Sequence, residues 1–234
     1  LETLKRLGKY EDTLVLFFSD NGGCQETMRE GGWTQFYPDT TRDGRKIVLG
    51  NRPDLTPGGP TTFMSYDLPW ANASNTPFRL FKHYVHEGGI STPLAVQWPA
   101  YIVPRGIDHT PLHAIDILPT LLDAAGITPP TDLIGRRVQR PDGESFLPLL
   151  RGRRWQRDSA LCWEHEGNCA IRDDQLKLVR KFDGPWELYD LERDRTELND
   201  LARGNRRLVA RLESEYGRWA SRVGVVDWAE QQPK

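Results

Sequence analysis

The sequence predicts an α/β domain followed by a small α+β unit. Three observations favour this: a short apolar segment at 13–18 that ends in Asp-Asn-Gly-Gly, a helical segment near 116–125, and a carboxyl-terminal series of short strands followed by an amphipathic helix. The length of 234 residues accommodates one large or two small domains. We place the boundary after the proline pair 129–130, so the predicted domains are 1–135 and 136–234.

The first apolar segment predicts a strand with a ligand site at its end. Residues 13–18 are mostly β-branched, aromatic or aliphatic, which is typical of a strand buried on both faces of a parallel sheet. Asp20 and Asn21 follow directly, where ligand-binding groups of such sheets lie. A carboxylate and an amide oxygen suit Ca²⁺ or Mg²⁺ better than zinc. The alternative is an ordinary Asx-Gly turn.

A second segment carries a cation and a glycine pair. Lys82 precedes Glu87-Gly88-Gly89 by five positions, and residues 93–98 predict a strand that Pro99 ends. The lysine suits an oxyanion, although a solvated lysine is the simpler interpretation. His86 and Glu87 are potential ligands, but we favour a structural histidine and a glutamate that binds nearby backbone amides.

The other helices and loops follow from local signals. Leu1, Leu4 and Leu7 have helical spacing before Gly8, and the helix near 116–125 has Asp116 as its cap and Gly126 as its stop. Residues 24–80 are polar and weakly periodic, which predicts a long loop that is functional or mobile.

The carboxyl-terminal region alternates like strands before a final helix. Strands are predicted near 160–164, 168–173, 176–182 and 186–190. The helix that follows is expected to begin at a cap on Asn199 or Asp200. Its apolar stripe consists of Leu208, Leu212, Trp219 and Val223.

Composition excludes several functions. The net charge is −2, so the chain as a whole has no excess positive charge that would attract nucleic acid. We interpret the local group of arginines within 136–157 as a solvated surface. No apolar run approaches the roughly 18 residues of a membrane helix. Three cysteines lack zinc spacing, and Cys162 and Cys169 flank a predicted hairpin, which leaves a disulfide between them open.

Five motifs follow one another along the chain: Asp20-Asn21-Gly22, Lys82 with Glu87-Gly88-Gly89, 116–122, 142–150 and 186–201. In this order they resemble the C-terminal half of type I sulfatases, in the alkaline-phosphatase-like superfamily, and residues 70–79 look most like bacterial arylsulfatases. The resemblance implies the C-terminal part of an α/β/α sheet domain, then a small α+β subdomain with an antiparallel sheet and a terminal helix.

The same resemblance implies a site and a reaction. Asp20 and Asn21 would hold Ca²⁺ (or Mg²⁺), and Lys82 would contact the sulfate or the leaving oxygen of a sulfated small molecule or glycan. His165, in the predicted hairpin 163–168, is a candidate for substrate binding, although a surface or packing histidine is an equal interpretation. A periplasmic or secreted location is also implied.

The sulfatase nucleophile is a formylglycine made in a Cys/Ser-x-Pro-x-Arg motif, which this sequence lacks. We therefore expect this chain alone to be inactive and the formylglycine to lie in a missing N-terminal half, which would be its partner. The absence of an initial Met and the opening inside a helix also predict a cut through a domain. A phosphatase or phosphonate hydrolase of the same superfamily, a non-catalytic carbohydrate-binding or structural fragment, and a catalytically dead assembly partner are the alternatives.

Overall fold

The computed structural model describes residues 1–28, 38–65, 67–103 and 106–231. The helices within these ranges are α1 (Glu2–Arg6), α2 (Asp67–Asn75), α3 (Glu87–Ile90), α4 (Ile117–Ala124), α5 (Leu147–Leu150), α6 (Arg206–Val223) and α7 (Trp228–Gln231). The strands are β1 (Val15–Phe18), β2 (Val48–Leu49), β3 (Thr62–Phe63), β4 (Leu94–Gln97), β5 (Asp132–Leu133), β6 (Arg136–Arg137), β7 (Leu161–His165), β8 (Asn168–Asp173), β9 (Leu176–Arg180) and β10 (Glu187–Asp190).

These elements form two compact units that interleave along the chain. The first unit consists of residues 1–20 and 93–161, and the second consists of 21–92 and 162–234. The mixed α/β architecture with a small antiparallel sheet and a terminal helix confirms the predicted fold class. The proposed boundary at residue 135 stays a prediction.

In the first unit, β1 forms a two-stranded antiparallel sheet with β4, in a register that places Val15 opposite Gln97. The prediction of a strand buried in a parallel sheet is therefore wrong for the described residues. Phe17 is 78% exposed, whereas Leu16 packs with Leu94 against a buried cluster around Phe146. An apolar run indicates that a strand tends to be buried, but it does not indicate the direction or the number of the neighbouring strands. The sequence-based prediction was wrong for this reason.

The predicted helix near 116–125 is α4, and Asp116 occupies its N-cap position. Its buried carboxylate does not cap this helix. Instead it accepts hydrogen bonds from the backbone N–H of His113 (2.8 Å) and of Glu144 (2.9 Å), and it pairs with Arg157. Gly126, at φ +65°, follows the helix as predicted. Asp116 thus joins three separate segments of the first unit.

The second unit contains a four-stranded sheet in the order β10-β9-β8-β7. The four strands lie where the sequence predicted them. Glu166 and Gly167, both with positive φ, form the two-residue connection between β7 and β8. Buried apolar side chains of the sheet pack with Val85, which precedes α3. This packing fixes the segment that carries Lys82 and the glycine pair.

Helix α6 lies against β8 and β9 through a face on which Leu212 and Tyr216 are buried. The predicted stripe is confirmed at Leu212, whereas Val223 is 42% exposed. The prediction that Asn199 or Asp200 caps this helix is wrong, because a 3₁₀ turn at 202–204 intervenes and Asn205 is the N-cap residue.

The prediction of an uninterrupted loop at 24–80 is wrong in part. Helix α2 lies within it, and β2 pairs with β3 in parallel. The helix escaped detection because it buries only Ala71 and Asn75 and has little apolar periodicity. Residues 29–37 of this segment lie outside the described ranges. Cys162 and Cys169 both carry thiols. Among the described helices, none combines the length and apolar character needed to cross a bilayer.

Candidate functional site

The two glycine-containing motifs meet through backbone hydrogen bonds in the second unit. The N–H of Gly22 donates to the carbonyl of Gly89 (2.8 Å), and the N–H of Lys82 donates to the carbonyl of Gly23 (2.9 Å). A Cβ on Gly22 would lie 1.8 Å from the carbonyl oxygen of Gly88, so no other residue fits without displacement of the backbone. The glycine spacing seen in the sequence is therefore a requirement of this contact.

Asn75, at the end of α2, reinforces the junction. Its side-chain oxygen accepts a hydrogen bond from the N–H of Gly23 (2.7 Å), and its amide nitrogen donates to the carbonyl of Leu80 (3.1 Å). The residue is almost completely buried. Sequence reasoning assigned no role to Asn75, because an asparagine in a polar segment carries no signal of its distant partners.

The two predicted metal ligands are neighbours in the sequence. Asp20 is the last residue of the first unit and is exposed, whereas Asn21 is the first residue of the second unit and is half-buried. The amide nitrogen of Asn21 donates to the carbonyl of Gly22 (2.8 Å). One carboxylate and one amide oxygen fit Ca²⁺ or Mg²⁺, although Ca²⁺ takes six to eight oxygens.

Lys82 is exposed, and its backbone is fixed by the bond to Gly23. The next residue, His83, has an unusual positive φ of 98°. The ring centroid of His83 lies 5.6 Å from that of His165, the exposed final residue of β7. The structure thus brings His165 beside the segment that carries Lys82. His83 itself was missed, because nothing in its local sequence distinguishes it from a surface histidine.

His86 is a structural residue, as the sequence favoured. It is fully buried, and its Nε2 lies 3.3 Å from a carboxylate oxygen of Glu187. Arg79 and the hydroxyl of Tyr189 donate to the same oxygen, each at 2.6 Å. Burial alone would raise the pKa of Glu187, but the hydrogen bonds from His86 and Tyr189 and the charge of Arg79 lower it to about 2.

Glu87 has a different role from the one predicted. Its carboxylate does not bind backbone amides but contacts the ammonium of Lys177 (2.8 Å), which also contacts Glu197 (2.9 Å). Glu197 in turn accepts a hydrogen bond from the N–H of Glu87 (2.8 Å). Burial alone would raise the pKa of Glu87, but the attraction of Lys177 outweighs it and lowers that pKa. This buried triad ties the glycine motif to the carboxyl-terminal sheet.

Two family models match this chain. The one described as N-sulphoglucosamine sulphohydrolase, C-terminal, matches residues 78–217, and the one described as Sulfatase matches residues 1–127. An uncharacterized sulfatase of Schizosaccharomyces pombe is 31% identical over 234 residues, which cover 97% of this chain and 41% of that protein. The chain therefore spans about two fifths of the length of that relative.

Solved structures are similar at the level of the fold. Ps i-CgsB in complex with k-i-k-neocarrahexaose has a TM-score of 0.65 and 24% identity, with 94% of this chain and 39% of that one covered. A protein in complex with its substrate D-glucosamine-2-N,6-O-disulfate has a TM-score of 0.50 and 18% identity, with 100% and 38% covered.

Proposed function

Because the chain belongs to the sulfatase family, we propose that the complete protein hydrolyses sulfate esters and that this chain supplies part of its active site. The observation that carries the proposal is the backbone junction between the two glycine motifs. It holds Lys82 against Gly23, the second residue after Asn21, in one compact unit. The junction thereby fixes the backbone of Lys82 beside the segment that carries Asn21.

Each of these residues has a distinct role in the proposed reaction. The oxygens of Asp20 and Asn21 would hold Ca²⁺ (or Mg²⁺), and a bound divalent ion supplies positive charge for the sulfate oxygens. The ammonium of Lys82 would stabilise the negative charge that develops on the leaving oxygen. The nucleophile, a formylglycine in this proposal, would come from the part of the protein that this chain does not contain.

The substrate class is proposed as a sulfated small molecule or glycan. It rests on analogy with the similar structures, one bound to a neocarrahexaose and one to a disulfated glucosamine. His165 is exposed at the end of β7, within the same unit as Lys82, which suits a side chain that contacts substrate. A periplasmic or secreted location stays an expectation.

The test replaces Lys82 in the complete protein. We expect Lys82→Ala to lower kcat for an aryl sulfate by about 10²–10³, since that is the usual effect of losing one electrostatic contact to developing charge. Lys46→Ala, a change at an exposed lysine of the same unit, is the matched control and should leave kcat unchanged. Circular dichroism verifies that both variants fold. An unchanged kcat in Lys82→Ala would remove the lysine from the mechanism.

The isolated chain provides a second, independent test. Without the nucleophile motif, it should show no turnover of an aryl sulfate in the presence of Ca²⁺. Turnover that persists through repurification and disappears in Lys82→Ala would mean that the chain contains a complete active site. That result would contradict the proposed division of the site.

A further inference from the structure

Three side chains converge at the tip of the β7–β8 hairpin, and one of them, His165, is also the proposed substrate contact. His83, His165 and Glu166 each offer one ligand atom, and these atoms all lie within 4.8 Å of one another. The Nδ1 of His83 is 2.9 Å from a carboxylate oxygen of Glu166. All three residues belong to the second unit.

The convergence is held by a buried amide. Asn168 is 1% exposed, and its amide nitrogen donates to the carbonyl of His165 (2.9 Å) and to that of His83 (3.3 Å). Its oxygen accepts a hydrogen bond from the N–H of Phe182 (3.2 Å), which ties the amide to the end of β9. The backbones of the two histidines are therefore positioned from the interior of the unit.

The backbone around these ligands is also unusual. His83 has φ of 98° and Glu166 has φ of 51°, conformations that residues other than glycine rarely adopt. Such conformations persist where the surrounding structure imposes them. The tight connection between β7 and β8 imposes this conformation on Glu166. The carboxylate of Glu166 therefore extends from the turn that begins directly after His165.

We propose that His83, His165 and Glu166 form a binding site for Zn²⁺. Two imidazole nitrogens and one carboxylate oxygen are a zinc donor set, whereas Ca²⁺ takes oxygen ligands only. Zinc–ligand bonds of about 2.0–2.2 Å place tetrahedral ligand atoms about 3.4 Å apart, so the present atoms, which lie within 4.8 Å of one another, would move closer together on binding. The partial exposure of the three residues leaves access for the ion and for a water as the fourth ligand.

The site goes beyond the proposed hydrolysis and uses other residues than Asp20 and Asn21. Bound Zn²⁺ would join the segment after Lys82 to the β7–β8 turn, two regions 82 positions apart in sequence. It would therefore stabilise the position of that segment. The consequence to measure is metal binding and thermal stability, which do not depend on turnover.

The experiment is calorimetric titration of the chain with ZnCl₂ at neutral pH, followed by thermal unfolding with and without the ion. We expect one Zn²⁺ per chain and a higher Tm with zinc. His165→Ala and Glu166→Gln should each weaken binding at least about tenfold, because even residues that only support a ligand commonly contribute that much. His109→Ala, at an exposed histidine of the first unit, should bind as the unsubstituted chain does.

Two further arms separate this site from the proposed catalytic metal. Asp20→Ala should leave zinc binding unchanged. When CaCl₂ replaces ZnCl₂, any calorimetric signal should be the same in the unsubstituted chain and in His165→Ala. The absence of zinc binding, or zinc binding that survives both His165→Ala and Glu166→Gln, would overturn the inference. If zinc does not bind, the contact between His83 and Glu166 has a structural role only. Circular dichroism confirms that each variant is folded.

Discussion

Replacement of the buried Lys177 should strongly destabilise the second unit, because two glutamates share its charge. The side chain of Lys177 is completely buried between Glu87 and Glu197, whose side chains are 4% and 0% exposed. Replacement of Lys177 by Met retains most of the apolar volume but removes the only positive charge of the triad. The two carboxylates would then lie together in the interior without their shared partner.

The expected magnitude follows from the contact distances. At an effective dielectric constant of about 20, each contact near 2.9 Å contributes roughly 6 kcal/mol of attraction before desolvation is subtracted. Removal of one partner from a buried ion pair usually costs a net of about 3–5 kcal/mol. We therefore expect Lys177→Met to lower the free energy of unfolding by that amount, a large share of the roughly 5–15 kcal/mol of a typical domain.

The effect should also depend on pH in a defined direction. In the unsubstituted chain the lowered pKa of Glu87 stabilises the fold above its ordinary value of 4.5, and this contribution is lost as the pH falls further. In Lys177→Met a buried carboxylate without a partner favours protonation, so acidification relieves it. The deficit of the variant should therefore shrink between pH 7 and pH 5.

Urea unfolding followed by tryptophan fluorescence measures this at both pH values. Lys46→Met, at an exposed lysine, is the control and should change stability little. If Lys177→Met does not fold, the triple change that also converts Glu87 and Glu197 to Gln should recover folded protein, because no uncompensated charge is then buried. A Lys177→Met variant within 1 kcal/mol of the unsubstituted chain at pH 7, or one whose deficit is independent of pH, would refute the reasoning.

Three further predictions concern the junction, acid stability and metal binding. Gly22→Ala should lower Tm, because the added Cβ would lie 1.8 Å from a backbone carbonyl oxygen. Gly217→Ala, where α6 has open space for a Cβ, should instead raise the free energy of unfolding by up to about 1 kcal/mol. Equal effects of the two changes on stability would contradict the argument. Stability measured by urea unfolding should fall between pH 4.5 and about 2 as Glu187 is protonated, and Glu187→Gln should flatten that dependence. Calorimetric titration of the isolated chain with Ca²⁺ should show little heat, since Asp20 and Asn21 supply only two protein ligands. Tight Ca²⁺ binding that Asp20→Ala abolishes would mean that this chain contains further ligands.

The sequence by itself determined the kinds and the order of the carboxyl-terminal elements. The carboxyl-terminal strands and the amphipathic helix after them were predictable because side-chain periodicity is a local property that burial on one face imposes. The glycine pairs were also informative, because few residue types tolerate a close backbone approach. Five motifs in a fixed order were sufficient to indicate the sulfatase family.

Only the tertiary structure decided which charged and polar side chains meet. Glu87 and Lys177 are 90 residues apart and Glu87 and Glu197 are 110 apart, and each alone is compatible with a solvated surface. The same holds for His83 and Glu166, which the β7–β8 turn brings together. The direction of β1 also escaped prediction, because an apolar run indicates a tendency to be buried but not which strand lies beside it. Long-range partners depend on the path of the whole chain, and local sequence does not encode that path.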